Sequence, residues 1–413
     1  MTKATYDEAA ASALRLTAGI IERRGPRLCG TKGCRDAAAE LQDLLEEACG
    51  EARRESFPIH PDALFSIGKV FSLSYAIGIA SLVLGSGLGS APLLCAGALA
   101  MLLGAFFCVS QFILYLDLFD PLFKKVEGNN VVGCLEPTGQ VTRQVFVVAH
   151  LDSAPVYPFH EKHAAFYPLR LFLPIAIFIL GLLALSSAAL SAAIEGSPAA
   201  LPSWIAYALV LGLAFVAPMY SFMSKRSAPG AGDDLVGCAI GIEIARLFRS
   251  VRARLENTRL VILLSDGEEA GQKGSKHYVS ENRESLTQVD TTVINIDNIY
   301  SYENLGIITR DRNGFTPLSQ ELARELRSIA AELGHEARLL SIPFGGGGTD
   351  AAQFARKGIR SAGIMADSTK AVRKEIVFHT MADMPDRIQA EAVGAVIEIV
   401  CEYVAREDAR GEA

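Results

Sequence analysis

The sequence predicts an α/β domain, a mostly parallel mixed sheet sandwiched by helices, into which four transmembrane helices are inserted as two hairpins. Three observations predict it. Short apolar runs alternate with amphipathic helical stretches. Several of the short runs end at a histidine or a carboxylate. Four long uncharged runs fall in two pairs between these segments.

The short runs 144–149 (QVFVVA), 260–264, 292–296 and 361–365 have the length and continuous apolarity of central strands buried on both faces, and 130–134 is a further strand candidate. Helical spacing covers 9–23, 35–51, 235–249, 275–285, 317–333 and 385–405. Strand–helix alternation of this kind implies parallel strands covered on both faces. In such sheets ligands gather at the carboxyl ends of the strands.

The long runs are 70–89, 92–116, 171–193 and 204–223. Each has the roughly 20 residues needed to cross ~30 Å of hydrocarbon, and none shows an amphipathic period. The turns joining each pair, 89–92 and 194–202, carry no Lys or Arg. The outer flanks do: Arg53, Arg54, Lys69, Lys124 and Lys125 around the first pair, and Lys162, Arg170, Lys225 and Arg226 around the second. The positive-inside rule then places all the polar sequence in the cytoplasm, as a multi-pass protein of the inner (cytoplasmic) membrane. Pro174 and Pro218 are positioned to kink their helices, and abundant Gly and Ala suit close packing in lipid. The organisation expected is one domain that begins in 1–65, continues in 119–168 and ends in 225–413, interrupted by hairpins 66–118 and 169–224.

Composition agrees. Half of the 413 residues are hydrophobic and the net charge is −7, which gives no footprint for nucleic acid. The eight cysteines include Cys95 and Cys108 inside apolar runs, and Cys29–Cys34 lacks a second pair, so all are expected as free thiols in a reducing compartment. The start, MTKATYDEAAASALRL, is polar and amphipathic without a signal-peptide core.

His150, Asp152, Asp233, Glu268, Glu269, Asp297 and His379 form an ordered series of metal-ligating side chains. His150, Glu268, Glu269 and Asp297 are each expected just past a strand, where distant residues converge. Taken singly, a His-x-Asp, a paired carboxylate or an Asp after Gly-Ala-Gly is ordinary surface or helix-cap chemistry. Neutral imidazole and carboxylate oxygens together are ordinary zinc ligands. His160, His163 and His277 have no metal spacing and are expected to be structural.

The stretches AHLDSAP (149–155), APGAGDDLVG (228–237), LLSDGEEAGQKGSKHYV (263–279), INIDNI (294–299), TDAAQFARKGI (349–359) and FHTMADMPDRI (378–388) resemble the two-zinc aminopeptidase family that also holds glutamate carboxypeptidases and glutaminyl cyclases. RGPRLCGTKGCRDAA (24–38) resembles the family's N-terminal segment. The resemblance implies a zinc-peptidase (phosphorylase/hydrolase-like) fold binding two Zn2+ and acting on peptides. It implies that Asp233 bridges both metals, that His150 and Asp297 complete one site, and that Glu269 and His379 complete the other. Asp152 would orient the His150 ring and Glu268 would be the general base. Two departures, Ala351 after Asp350 and Val236 in place of a common Ser, touch no expected ligand. Gly345–Gly348 is expected as a loop at the pocket or a plain turn. The reading expected is a membrane-integral aminopeptidase. The alternatives are a one-zinc glutaminyl-cyclase-like acyltransferase, a carboxypeptidase drawing on Arg310, Arg312 or Arg360, and a silent membrane adaptor, for which an intact Glu268 would have no use. Oligomeric state is left open.

Overall fold

The structure is a computed structural model that describes residues 1–162, 164–198, 202–250, 254–367 and 376–410. The chain divides into two units: residues 1–61, 124–156 and 225–413 form one, and residues 62–123 and 157–224 the other.

The first unit is built on nine strands: β1 Ala52–Ile59, β2 Val126–Leu135, β3 Arg143–His150, β4 Thr258–Ser265, β5 Asp290–Ile299, β6 Leu305–Asp311, β7 Thr316–Pro317, β8 Arg338–Ser341 and β9 Arg360–Ala366. They form one sheet in the order β1-β2-β4-β3-β5-β9-β6-β7, with β8 alongside β6. The centre is parallel: β3 pairs in parallel with both β4 and β5, and β5 with β9. Antiparallel pairs close the two sides.

Residues of β3 explain the layering. Val145, Val147 and Ala149 point to a face covered by α1 (Lys3–Arg24), α2 (Lys32–Cys49), α3 (Val236–Arg249), α6 (Gln320–Glu332) and α8 (Ala390–Arg410). Phe146 and Val148 point to the other, where Tyr278, Leu286 and Phe354 of α4 (Lys273–Glu281), α5 (Arg283–Gln288) and α7 (Ala351–Ala355) pack. A strand buried on both faces has no polar alternation, and this is why these runs read as continuously apolar.

Several expected bounds shift. The stretch 275–285 spans two helices, α4 and α5, broken at Asn282. Pro317 lies in β7 rather than starting α6, and 385–387 is a 3₁₀ turn before α8. Asp297 lies inside β5 rather than past it, at an irregularity where Asn298 takes a φ of 56°. His150 is the last residue of its strand.

The second unit holds four helices long and apolar enough to cross a membrane: Ile67–Leu88, Ala91–Ile113, Ala164–Glu195 and Ser203–Ser221. Residues 199–201 of the second connecting turn, and His163, lie outside the described residues. Lys69 falls in the first turn of its helix instead of before it. Tyr75, Met101, Phe178 and Leu185 form the unit's own core. Small residues permit the approach: a Cβ at Gly97 would meet Ser81 at 2.4 Å. Tyr75 Oη donates to the Leu209 carbonyl (2.8 Å) and Ser72 Oγ to that of Val216 (3.0 Å). Ile77, Leu84, Leu103, Leu180, Leu183 and Leu211 are exposed on the outside. This inversion, with leucine outside and hydroxyls inside, is the pattern expected of helices solvated by lipid. Pro174 lies within its helix, whereas Pro218 does not kink one: the last helix ends at Val216 and continues as a 3₁₀ turn, since proline supplies no amide for the α-helical ladder.

The carboxyl ends of β3, β4, β5 and β9 share one edge of the sheet. The chain leaves the first unit at that edge both times. Ile59 pairs with Val126 where β1 ends and β2 begins, and Pro155 bridges Ser227 five residues beyond His150. Val156 N and Ala228 N donate across this second base at 2.8 Å each.

Candidate metal centre

Strands β3 and β5 and the neighbouring loops bring together all seven residues at the carboxyl edge. His150 ends β3. Its ring Nδ1 lies 3.1 Å from the Asp152 carbonyl oxygen and 3.4 Å from its Oδ1. The Asp152 carboxylate also accepts from the backbone amides of Glu268 (3.2 Å) and Glu269 (3.3 Å). One buried side chain therefore orients the imidazole and holds the loop after β4. That loop is fastened from its other side by β2: Asp266 N donates to Asn130 Oδ1 (3.0 Å) and Asn129 N to Asp266 Oδ2 (2.8 Å).

Asp233 sits between the two histidines. Its Oδ1 is 3.1 Å from His150 Nε2 and its Oδ2 is 3.1 Å from His379 Nε2. Asp297 Oδ1 lies 3.9 Å from His150 Nε2, and Glu269 Oε1 lies 3.4 Å from His379 Nε2. Two ligand groups follow, each a histidine, a further carboxylate and one oxygen of Asp233. Asp234 also has a carboxylate within coordinating reach of His150 and Asp297. Its Oδ2, however, accepts from the His150 backbone amide (3.2 Å), and a Cβ at Gly237 would lie 2.4 Å from its Oδ1. Asp234 is thus committed to the turn into α3, where only glycine leaves it room, and Asp233 is the carboxylate facing both histidines.

The donor set fits metal ions. Asp233 Oδ2 and Glu269 Oε1 are buried and make no well-formed hydrogen bond. An acceptor oxygen without a donor is costly unless a cation serves it. Neutral imidazoles with carboxylates suit zinc. Electrostatics agrees. Burial raises Glu268 and Asp297 well above the ordinary carboxylate range, and neighbouring acids, Asp350 and Asp297 for the first and Asp233 for the second, raise them further. Burial opposes charge on the histidines, yet Asp152 and Asp233 carry His150 well above its usual value. Glu269 and Asp233 raise His379 to about 10. Without cations the cluster holds protons that metal binding must expel.

This has a measurable consequence. Histidines whose pKa is raised by folding stabilise the metal-free protein fully below their unfolded value of about 6.5, and that contribution is lost as pH climbs toward 10. Zinc affinity runs the other way and rises with pH over the same interval. Thermal unfolding of chelator-stripped and zinc-reloaded protein across this range should therefore give curves that diverge as pH increases; parallel curves would contradict the ligand assignment.

Sequence reasoning gave no role to two residues that hold the centre. Arg27 is fully buried, and its guanidinium donates to the carbonyls of Leu151 (2.9 Å), Pro229 (2.8 Å) and Gly230 (2.7 Å). Asp383 accepts from Gly232 N (2.8 Å), tying the His379 loop to the Asp233 loop, and burial with the nearby Asp233 charge pushes it up to about 7. Both lie inside the resembling stretches, which was their only signal. Arg360 does not serve a carboxylate pocket: it opens β9, opposite Thr292 at the amino edge, and pairs with Glu325 (2.6 Å). Arg310 donates to the Gly314 carbonyl (2.9 Å). Gly346 of the Gly-rich loop lines a cleft of about 360 Å³ together with Asn298 and Phe378, the chain neighbours of Asp297 and His379. His277 stacks on Phe57 (4.8 Å) and His160 packs against Tyr167 (4.5 Å), as structural histidines do. The eight cysteines are all free.

Residues 218–404 match peptidase family M28. The match spans less than half of the chain. Asp233, Glu268, Glu269, Asp297 and His379 fall within the matched M28 residues, whereas His150 and Asp152 precede them. The chain is 26% identical over 174 residues to aminopeptidase YwaD of Bacillus subtilis, a match that covers 42% of this chain and 36% of that protein's length. Among solved structures, a zinc-dependent exopeptidase from Parabacteroides distasonis aligns with a TM-score of 0.55 at 14% identity, over 96% of this chain and 97% of that one. A glutaminyl cyclase from Porphyromonas gingivalis aligns with a TM-score of 0.56 at 15% identity, over 96% and 98%. At such identities these two likenesses establish the fold alone.

Proposed function

We propose that this protein is a membrane-integral, zinc-dependent exopeptidase of the aminopeptidase type, with its catalytic unit on the cytoplasmic side. The observation carrying this reading is Asp233, whose two oxygens each face a different histidine at 3.1 Å, with a separate third carboxylate beside each histidine. That symmetry supports two zinc ions rather than one. The four apolar helices support the membrane assignment, and the uncharged turns with cationic flanks support the sidedness.

Zinc bound here supplies Lewis acidity that activates water and polarises the scissile carbonyl. The remaining work falls to the chain. His150, Asp297, His379, Glu269 and Asp233 are the residues that would hold zinc. Asp152 fixes the His150 ring so that Nε2 faces inward. Glu268 precedes a ligand in sequence, and its amide is pinned by Asp152. Its carboxylate takes the proton of the attacking water and delivers it to the leaving amine.

The test is a peptide panel treated with detergent-purified protein before and after chelation and zinc return. Loss of single N-terminal residues, abolished by chelator and restored by zinc, is the expected result. Cyclised N-terminal glutamine in the product mass, with one zinc per chain, would replace this reading with acyl transfer. Release of C-terminal residues would replace it with a carboxypeptidase.

A further inference from the structure

Within the helical unit, a cleft of about 500 Å³ opens between the start of the third apolar helix and the end of the fourth. We propose that it is a binding site for an anionic phospholipid of the cytoplasmic leaflet. The proposal rests on the membrane reading above and goes beyond it.

The cleft's walls are apolar, with Phe159, Pro174, Phe215 and Pro218 among them. Its polar groups are two cations, Lys162 and Arg170, and among the described residues no acidic side chain lines it. The Arg170 guanidinium carbon lies 5.6 Å from the centre of the Phe159 ring, and its Nη1 donates to the Lys162 carbonyl. Neither contact neutralises charge, so both hold the cation at the cleft while leaving it available to an anion. The two prolines account for the opening. Pro174 brings no amide to the Arg170 carbonyl four residues earlier, and Pro218 ends the α-helical ladder on the facing segment.

Depth and charge then select the occupant. Arg170 lies in the first turn of its helix, Tyr167–Glu195, and Phe215 in the last turn of Ser203–Val216. This is the end of the hairpin that carries Lys225 and Arg226 and that the positive-inside rule assigns to the cytoplasm. Basic side chains over an apolar slot at that depth match a phosphate headgroup above an acyl chain. A free phosphate would have no use for the apolar walls, and a zwitterionic lipid would leave the paired cations uncompensated.

The experiment uses full-length protein in a neutral detergent. Thermal unfolding is followed after addition of phosphatidylglycerol, phosphatidylcholine or inorganic phosphate, for wild type and for Lys162→Gln/Arg170→Gln. Phosphatidylglycerol should raise the wild-type midpoint by roughly 2–5 °C. The other two additions should leave it in place, and the double variant should lose the response while keeping its lipid-free midpoint. An equal response to phosphatidylcholine, a response to phosphate alone, or a full response in the variant would overturn the site. Should the variant fold poorly, a phosphatidylglycerol analogue with a photoreactive acyl chain decides on wild type. Labelling near Phe215, competed by phosphatidylglycerol and not by phosphatidylcholine, supports the site, and its absence refutes it. Alkaline extraction of membranes separates the two ideas: release of wild-type protein would sink the membrane assignment itself, whereas retention without lipid preference would sink only the lipid site.

Discussion

Glu268→Gln should retain zinc and lose hydrolysis. The amide keeps the size of the side chain, and Asp152 holds position 268 through its backbone N, which the substitution leaves intact. The proposed ligands Asp233, Glu269 and His379 should keep their geometry. What disappears is a group that can take a proton and return it, a contribution of about 10²–10⁴ in rate. Metal content by mass spectrometry and kcat on the best peptide of the panel check this together. A variant with full zinc and more than a tenth of wild-type kcat would mean that Glu268 is not the base.

Arg27→Met should unfold the protein more readily and loosen the metal centre, although Arg27 touches no proposed ligand side chain. Methionine approximates the volume but leaves the carbonyls of Leu151, Pro229 and Gly230 buried without their donors. A buried acceptor stripped of its partner costs about 1–3 kcal/mol, so a loss of at least ~3 kcal/mol is expected. The damage is directed: Leu151 separates His150 from Asp152, and Gly230 lies three residues before Asp233. Zinc affinity should therefore fall as well, and Arg27→Lys should recover part of both losses, because a lysine reaches fewer of these acceptors. Denaturant titration with zinc-competition assays provides the measurement. Unchanged zinc affinity in a destabilised but folded Arg27→Met protein would show that the arginine only holds the fold.

The contrast between these two residues explains what was legible in the sequence. Glu268 sits in a recognisable motif, and the base role proposed for it would require a fixed place beside Glu269. Arg27 works through backbone carbonyls more than a hundred residues away, and main-chain acceptors leave no side-chain pattern to read. The central strands were legible for a similar reason: burial on both faces forces unbroken apolar runs such as 144–149. β1 (ARRESFPI) is a half-exposed edge strand, and its Arg53 and Arg54 read instead as a membrane flank. β7 and β8 are too short to carry a period. Hydropathy also marks the second hairpin from 169, whereas the helical unit begins at 157, because Tyr157, Phe159 and His160 pack there through rings to Phe222 and Tyr167. Aromatic packing of that kind adds little to a hydropathy average.

The antiparallel rungs at the base of each insertion bear on the order in which the chain folds. Ile59–Val126 and Pro155–Ser227 each close a loop of about seventy residues. If those loops were still unfolded coil, each closure would carry the full entropic cost of a long chain. A helical hairpin already seated in a bilayer returns its chain to within about 10 Å of its departure, the spacing of packed helices. The effective loop then shrinks roughly tenfold, which lowers the closure cost by about 2 kcal/mol per insertion. On the proposed membrane reading, insertion before sheet assembly would bring β1 near β2, and the His150 loop near the Asp233 loop, at lower entropic cost.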